Sequence, residues 1–147
     1  LYHHPGDFGN LPAGEAFIAP VEGSAEGRIV VDGSMENVGG KVELIVKDGV
    51  VKEISGKGGK DLKKLLEKIG PAARNLAEFG IGTNYKARLS GNVLEDEKVL
   101  GTAHIALGDN STFGGKVRAG IHIDGIFLKP TIEVDGKLLM KNGKLLV

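Results

Sequence analysis

An α+β fold, with a largely antiparallel sheet, several hairpins and two main helices, is what the sequence predicts, and three observations predict it. Short β-branched runs recur along the chain, Asp-Gly and Asn-Gly pairs separate several of them, and one stretch after Lys60 switches to helical spacing. With 24 glycines and only 5% aromatic residues, the chain calls for tight turns and a core of Val, Ile and Leu.

The first twenty residues, LYHHPGDFGNLPAGEAFIAP, are rich in Gly and Pro and read as a winding entry with one short strand at Ala16–Ala19. A strand at Gly27–Asp32 follows, then VELIVKDGVVKEISG, whose two β-branched runs flank Asp48-Gly49 as a hairpin. In DLKKLLEKIG the residues Leu62, Leu65, Leu66 and Ile69 fall on one helical face, and Gly70-Pro71 stop the helix. AARNLAEFGIGTN reads equally as a turn of helix or a buried strand. A second helix is expected from about Glu95 to Leu107, its acidic first turn suiting the helix dipole, although Gly101 interrupts it. After the polar loop GDNSTFGGK, strands are expected near Ile121–Leu128, Thr131–Val134, Lys137–Lys141 and Lys144–Val147, with Asp135-Gly136 and Asn142-Gly143 as turns.

A chain of 147 residues matches a single domain, long enough to bury a core without disulfides or a structural metal. Net charge is zero, with 19 residues of each sign, which argues against a nucleic-acid partner. The absence of cysteine excludes disulfide scaffolds, thiolate zinc sites, iron–sulfur clusters and thiol catalysis. No apolar run is long enough to span a bilayer and no signal-peptide pattern is visible, so no membrane association and a cytoplasmic location are expected. The chain begins at Leu1, which suggests a fragment of a longer protein.

The chemistry concentrates in few residues. In an extended segment, residues two apart share a face, so His122 and Asp124 in IHIDG present an imidazole and a carboxylate to one point. With His104, three ligands suffice for one ion with an open position, and a His and carboxylate set without Cys suits zinc, cobalt, manganese or iron. Glu78, in the otherwise apolar run LAEFGI, and Glu15, before Ala-Phe-Ile-Ala, sit where a carboxylate needs a partner or a metal.

The strings NLPAGEAFIAP, AEFGIGTN, NVLEDEKVLGTAHIALGDN and IHIDG resemble, in order, the C-terminal half of the aminopeptidase T family of metallopeptidases, which includes the aminopeptidase S group. That resemblance implies five metal ligands, Glu15, Glu78, His104, His122 and Asp124, and two divalent ions, zinc, cobalt or manganese, that activate a water against a peptide bond. It also implies a peptide or small-molecule substrate, a missing N-terminal domain and a homodimer. Glu15 is the residue expected to transfer the proton, because its turn exposes it. Where peptidase members carry a tyrosine seven residues after the ligand histidine, this chain has Ser111, too short to place a hydroxyl at the same point.

Two alternatives accompany the aminopeptidase reading. One is a domain that binds metal without turnover. The other is a ring-cleaving dihydroxypyridine dioxygenase with one non-haem iron, which the family also resembles and for which His104, His122 and Asp124 form the two-histidine, one-carboxylate triad. Three weaker signals are set aside: GKGGK at Gly56–Lys60 lacks the Ser or Thr of a phosphate loop, His3-His4 reads as solvated, and Asn110-Ser111-Thr112 is a glycosylation pattern without a consequence. Lys116 and Arg118 read as an exposed strand face or, if they line the site, as receivers of a substrate carboxylate.

Overall fold

The computed structural model describes residues 4–5 and 11–147, so His3 lies outside the described residues. Among the described residues, ten strands form three antiparallel sheets. The central one is built from β1 (Glu15–Ile18), β5 (Leu76–Gly82), β6 (Thr102–Gly108) and β7 (His122–Leu128), in the order β1-β5-β6-β7. A second sheet orders β2 (Gly27–Val31), β3 (Val42–Lys47) and β4 (Val50–Ser55) sequentially. A third comprises β8 (Ile132–Val134), β9 (Lys137–Lys141) and β10 (Lys144–Leu145). Helix α1 (Gly59–Ile69) follows β4, a 3-10 turn at Pro71–Arg74 leads into β5, and a single helical turn, α2 (Val93–Asp96), precedes β6.

The α+β expectation holds, and the turn chemistry explains much of it. Asp48-Gly49, Asp135-Gly136 and Asn142-Gly143 all adopt positive φ at both residues (53° and 71°, 51° and 74°, 49° and 76°), the geometry that lets a two-residue loop follow the twist of its strands. In α1, Leu62 and Leu66 are buried, each stabilising by about 1.5–3 kcal/mol, while Ile69 is left half-exposed at the helix end. They join Val31, Val42, Leu44, Ile105, Leu107 and Ile123 in the main core, between the central and second sheets and α1. Ile132 and Met140 pack with Ala103 in a smaller cluster under the third sheet. The ambiguous segment at residues 72–84 resolves both ways, as a 3-10 turn and then a strand.

One element differs. The helix expected over Glu95–Leu107 stops after Asp96, and Thr102–Gly108 is the fully buried strand β6. The chain has already left the helix where Val99 bridges to Asn84, and it turns into β6 at Gly101, whose φ is +97° and where a Cβ would meet the Gly143 carbonyl at 2.6 Å. A strand buried on both faces has no polar–apolar alternation, so its periodicity cannot be told from that of a buried helix.

Candidate metal centre

Strand register brings the polar residues together. His104 pairs with Gly80 on β5, and Gly80 pairs in turn with Phe17 on β1. Ala106 pairs with Glu78 on one side and Asp124 on the other, Gly108 with His122, and Gly82 with Glu15. Since alternate residues share a face, Glu15, Phe17, Glu78, His104, His122 and Asp124 project from one face of the central sheet, while Ala103, Ile105, Leu107 and Ile123 are buried on the other. The residues between the ligands are small. A Cβ at Gly80 would lie 2.0 Å from His104 Nε2, so the imidazole occupies the space that a side chain would fill.

The five expected ligands converge. His104, fully buried, places Nε2 at 3.1 Å from Glu78 Oε1 and 3.3 Å from Glu15 Oε2. The other Glu78 oxygen lies 3.3 Å from His122 Nε2, and Asp124 Oδ1 lies 3.6 Å from the same nitrogen. His122 Nδ1 donates to the Asp109 carbonyl at 2.7 Å, which fixes the ring and turns Nε2 toward the carboxylates. Potential ligand atoms within 4.8 Å of one another occur, among the described residues, as Glu15–Glu78–His104, Glu78–His122–Asp124 and Glu97–His104–Asp124. Asp124 is thus within reach of both histidines. A cavity of about 330 Å³ opens onto the cluster, lined by Glu15, Phe17, Glu78, Phe113, His122 and Asp124.

Electrostatics binds the cluster tightly. Burial favours the neutral acid of Glu78, but hydrogen bonds from His104 and His122 outweigh it and hold its pKa down at about 2. Burial likewise disfavours charge on His122, yet hydrogen bonds to Asp124 and Glu78 push its pKa up to about 11, a proton that a metal would displace. Four carboxylates, Glu15, Glu78, Glu97 and Asp124, face the two imidazoles and the Lys98 ammonium, and Glu15 Oε2 is buried without a hydrogen-bond donor. More acceptors than protons, made of imidazole and carboxylate without thiolate, is a donor set that fits a divalent transition ion.

Sequence reasoning missed Glu97 and Lys98. Lys98 is 1% exposed, and its Nζ contacts Glu15 Oε1 at 2.7 Å and Glu97 Oε1 more closely still. Burial acts against the ammonium, but its bonds to Glu15 and Glu97 raise its pKa, so it stays charged. Burial raises the Glu97 pKa against the pull of Lys98, with the neighbouring charges of Asp124 and Glu15 adding to the rise. Glu15 is therefore part-buried and pinned by an ammonium, rather than exposed on its turn as expected. Phe113 was missed as well; its ring stands edge-on to His122 at 5.6 Å and to Phe17 at 5.5 Å.

Ser111 points away from the cluster, donating to Asp109 Oδ1 at 2.7 Å. Asp109 also accepts from the Ser111, Ala119 and Gly120 amides, which holds its carboxyl well below the usual range and shapes the loop that follows β6. Asn110 is fully buried and accepts from the Val117 amide, so a glycan has no access to it. Lys116 and Arg118 are exposed and do not line the cavity.

A model of the family described as NicX: 2,5-dihydroxypyridine 5,6-dioxygenase matches residues 1–147. The chain belongs to the NicX family. The 2,5-dihydroxypyridine dioxygenase from Pseudomonas putida KT2440 superposes with a TM-score of 0.79 at 21% identity, over 88% of this chain and 42% of that one. Wild-type AmpT from Thermus thermophilus superposes with a TM-score of 0.67 at 20% identity, over 94% of this chain and 41% of that one. Among curated proteins none matches. The chain spans about two fifths of the length of these solved structures. At such identities the superpositions establish a shared fold, with AmpT as with the dioxygenase.

Membership in the NicX family corrects the expectation of a hydrolase, protease or aminopeptidase: the family model and the P. putida structure both point to a dioxygenase. The misreading has a physical origin, since the two solved structures, one a dioxygenase and the other AmpT, share this chain's fold. Among the described residues, no helix is long and apolar enough to cross a membrane.

Proposed function

We propose that this chain carries the metal centre of a ring-cleaving dioxygenase that acts on a dihydroxylated pyridine or a closely similar hydroxylated aromatic ring, using one non-haem ferrous ion. The observation that carries this reading is that His104, His122 and Asp124, two imidazoles and one carboxylate, share one face of the central sheet, with Asp124 within ligand reach of each histidine, in a chain that the NicX family model matches throughout. When bound, the ion would supply the activation of dioxygen that ring opening requires.

The chain's own residues prepare the site for that chemistry. Asp109 orients His122 through its carbonyl, and Gly80 makes room for His104. Phe17 and Phe113 form an aromatic corner at the cavity mouth, against which a planar ring can stack or pack edge-on. A cavity of about 330 Å³ is of the size that takes a single-ring ligand. Glu78 lies between the imidazoles, with one oxygen facing each Nε2.

The decisive assay loads purified protein with ferrous iron under anaerobic conditions, adds 2,5-dihydroxypyridine and oxygen, and follows oxygen uptake together with loss of the ring absorbance. Uptake of one oxygen molecule per ring consumed, abolished by His122→Ala, is expected. Iron-loaded protein that binds the ring but consumes no oxygen would refute the reading.

A further inference from the structure

The geometry points to Phe113 as the residue that limits this site to a single-ring substrate: it is a fixed wall between the metal-centre cavity and a neighbouring cleft that a fused second ring would need. This size limit rests on the reading above that a hydroxylated aromatic ring binds at the cluster, and it adds to that reading which rings qualify.

Two hollows meet at the Phe113 ring. One is the cavity of about 330 Å³ over the cluster, and the other is a cleft of about 480 Å³ lined by Asp109, Ser111, Thr112, Gly120 and Ile121. Among the described residues, only Phe113 and His122 line both. His122 belongs to the cluster and is tied to the Asp109 carbonyl, which leaves Phe113 as the part of the wall whose size is free to vary. Its ring stands edge-on to Phe17 at 5.5 Å and to His122 at 5.6 Å, so it reaches across from β1 to β7. The cavity alone lies near the lower end of the range for small-molecule sites, with room for one ring; joined to the cleft it would take two.

The loop that carries the wall is wound around Asn110, which is fully buried. The Phe113 and Gly115 amides donate to the Asn110 carbonyl at 3.4 and 3.0 Å, and the Val117 amide donates to its Oδ1 at 2.9 Å. A Cβ at Gly115 would lie 2.0 Å from Asn110 Cγ, so the amide side chain fills the inside of the loop. From outside, Glu22 accepts from the Lys116 amide at 2.7 Å and anchors the loop to the segment that follows β1. Moving the loop would break these bonds, and turning the ring alone would give up both of its edge contacts. A ligand that extends toward the cleft therefore meets a clash, which is how a site rejects the wrong partner. The cleft itself suits a neutral group. Asp109 already accepts from the Ser111 hydroxyl and from the Ser111, Ala119 and Gly120 amides, and Ile121 adds apolar surface. What Phe113 keeps out is thus an uncharged ring fused to the first.

The test is ring-size selectivity, read as binding. Calorimetry on iron-loaded protein without oxygen compares 2,5-dihydroxypyridine with the dihydroxyisoquinoline that carries the same hydroxylated ring and a fused benzo ring. The wild type should bind the single ring about 10-fold more tightly or better, and Phe113→Ala should abolish or reverse that ratio by strengthening the fused ring. A gain in fused-ring affinity is a change that the loss of a merely structural loop residue would not give. A wild type that binds both rings equally, or a Phe113→Ala variant with a native circular dichroism spectrum and an unchanged ratio, overturns the inference. If Phe113→Ala does not fold, Phe113→Leu decides: it keeps an apolar side chain, shortens the wall and should lower the ratio, and an unchanged ratio overturns the inference. Selective binding without oxygen uptake overturns the proposed function and leaves this inference standing, whereas a wild type that binds neither ring overturns both.

Discussion

Gly80→Ala isolates the steric basis of the metal centre. Gly80 lies in β5 without a positive φ, so alanine meets no backbone strain there and would by itself stabilise the strand by about 0.5–1 kcal/mol. Its Cβ, however, would lie 2.0 Å from His104 Nε2 and 2.3 Å from Cε1, against an ordinary contact of 3.4–4 Å. The imidazole must retreat by roughly 1.5 Å, and it is fully buried, so packing around it must give way as well. Overpacking of this kind costs about 1–3 kcal/mol, a fall in Tm of about 3–10 °C for a domain of this size. Losing what orients a ligating histidine costs about 10–100-fold in metal affinity, and cobalt or iron affinity by calorimetry should fall by that order. Gly39→Ala is the control, with nothing within 4 Å of the added carbon and no positive φ. Should Gly80→Ala bind metal as tightly as the wild type with an unchanged Tm, the argument that β5 cradles His104 is wrong.

Asp109→Ala removes the acceptor that gathers the Ser111, Ala119 and Gly120 amides and should weaken metal binding by about 10–100-fold through His122, measured by cobalt titration. Asp96→Asn weakens a buried carboxylate that accepts from Ser34 Oγ and the Ser90 and Gly91 amides; a loss of about 1.5–3 kcal/mol in urea denaturation is expected. Leu62→Ala, at a fully buried position in α1, should cost about 2–5 kcal/mol by the same method and leave metal stoichiometry intact. Saturation with metal at about 100 times its Kd should raise stability by about 2.7 kcal/mol over chelated protein, read as a shift in Tm.

The ligands were legible because spacing and residue type coincide: His122 and Asp124 two apart in a strand, and Glu78 alone in an apolar run. Their common face was legible for the same reason, but their depth was not, since the chain does not announce which sheet neighbours cover it. Glu97 and Lys98 escaped notice because acidic residues before an apolar stretch fit a helix start, a frame in which a lysine points to water. Gly101 was the available signal against that frame, and its positive φ is what turns the chain into β6. Phe113 was hidden in a loop read only for its polarity, and Ser111, read as a vacant tyrosine position, serves instead to fasten Asp109. The dioxygenase stood in the sequence only as an alternative to the peptidase, because a set of imidazoles and carboxylates suits both chemistries.

Every expected ligand, from Glu15 on β1 to Asp124 on β7, belongs to the same parity of its strand, with Ala106 at the midpoint of the row that joins Glu78 and Asp124. A single inserted or deleted residue within β6 would turn His104 away from the cavity and bring Ala103 or Ile105 into it. The centre therefore depends on the register of β6. The pairing that folds the sheet is the same event that gathers the donors.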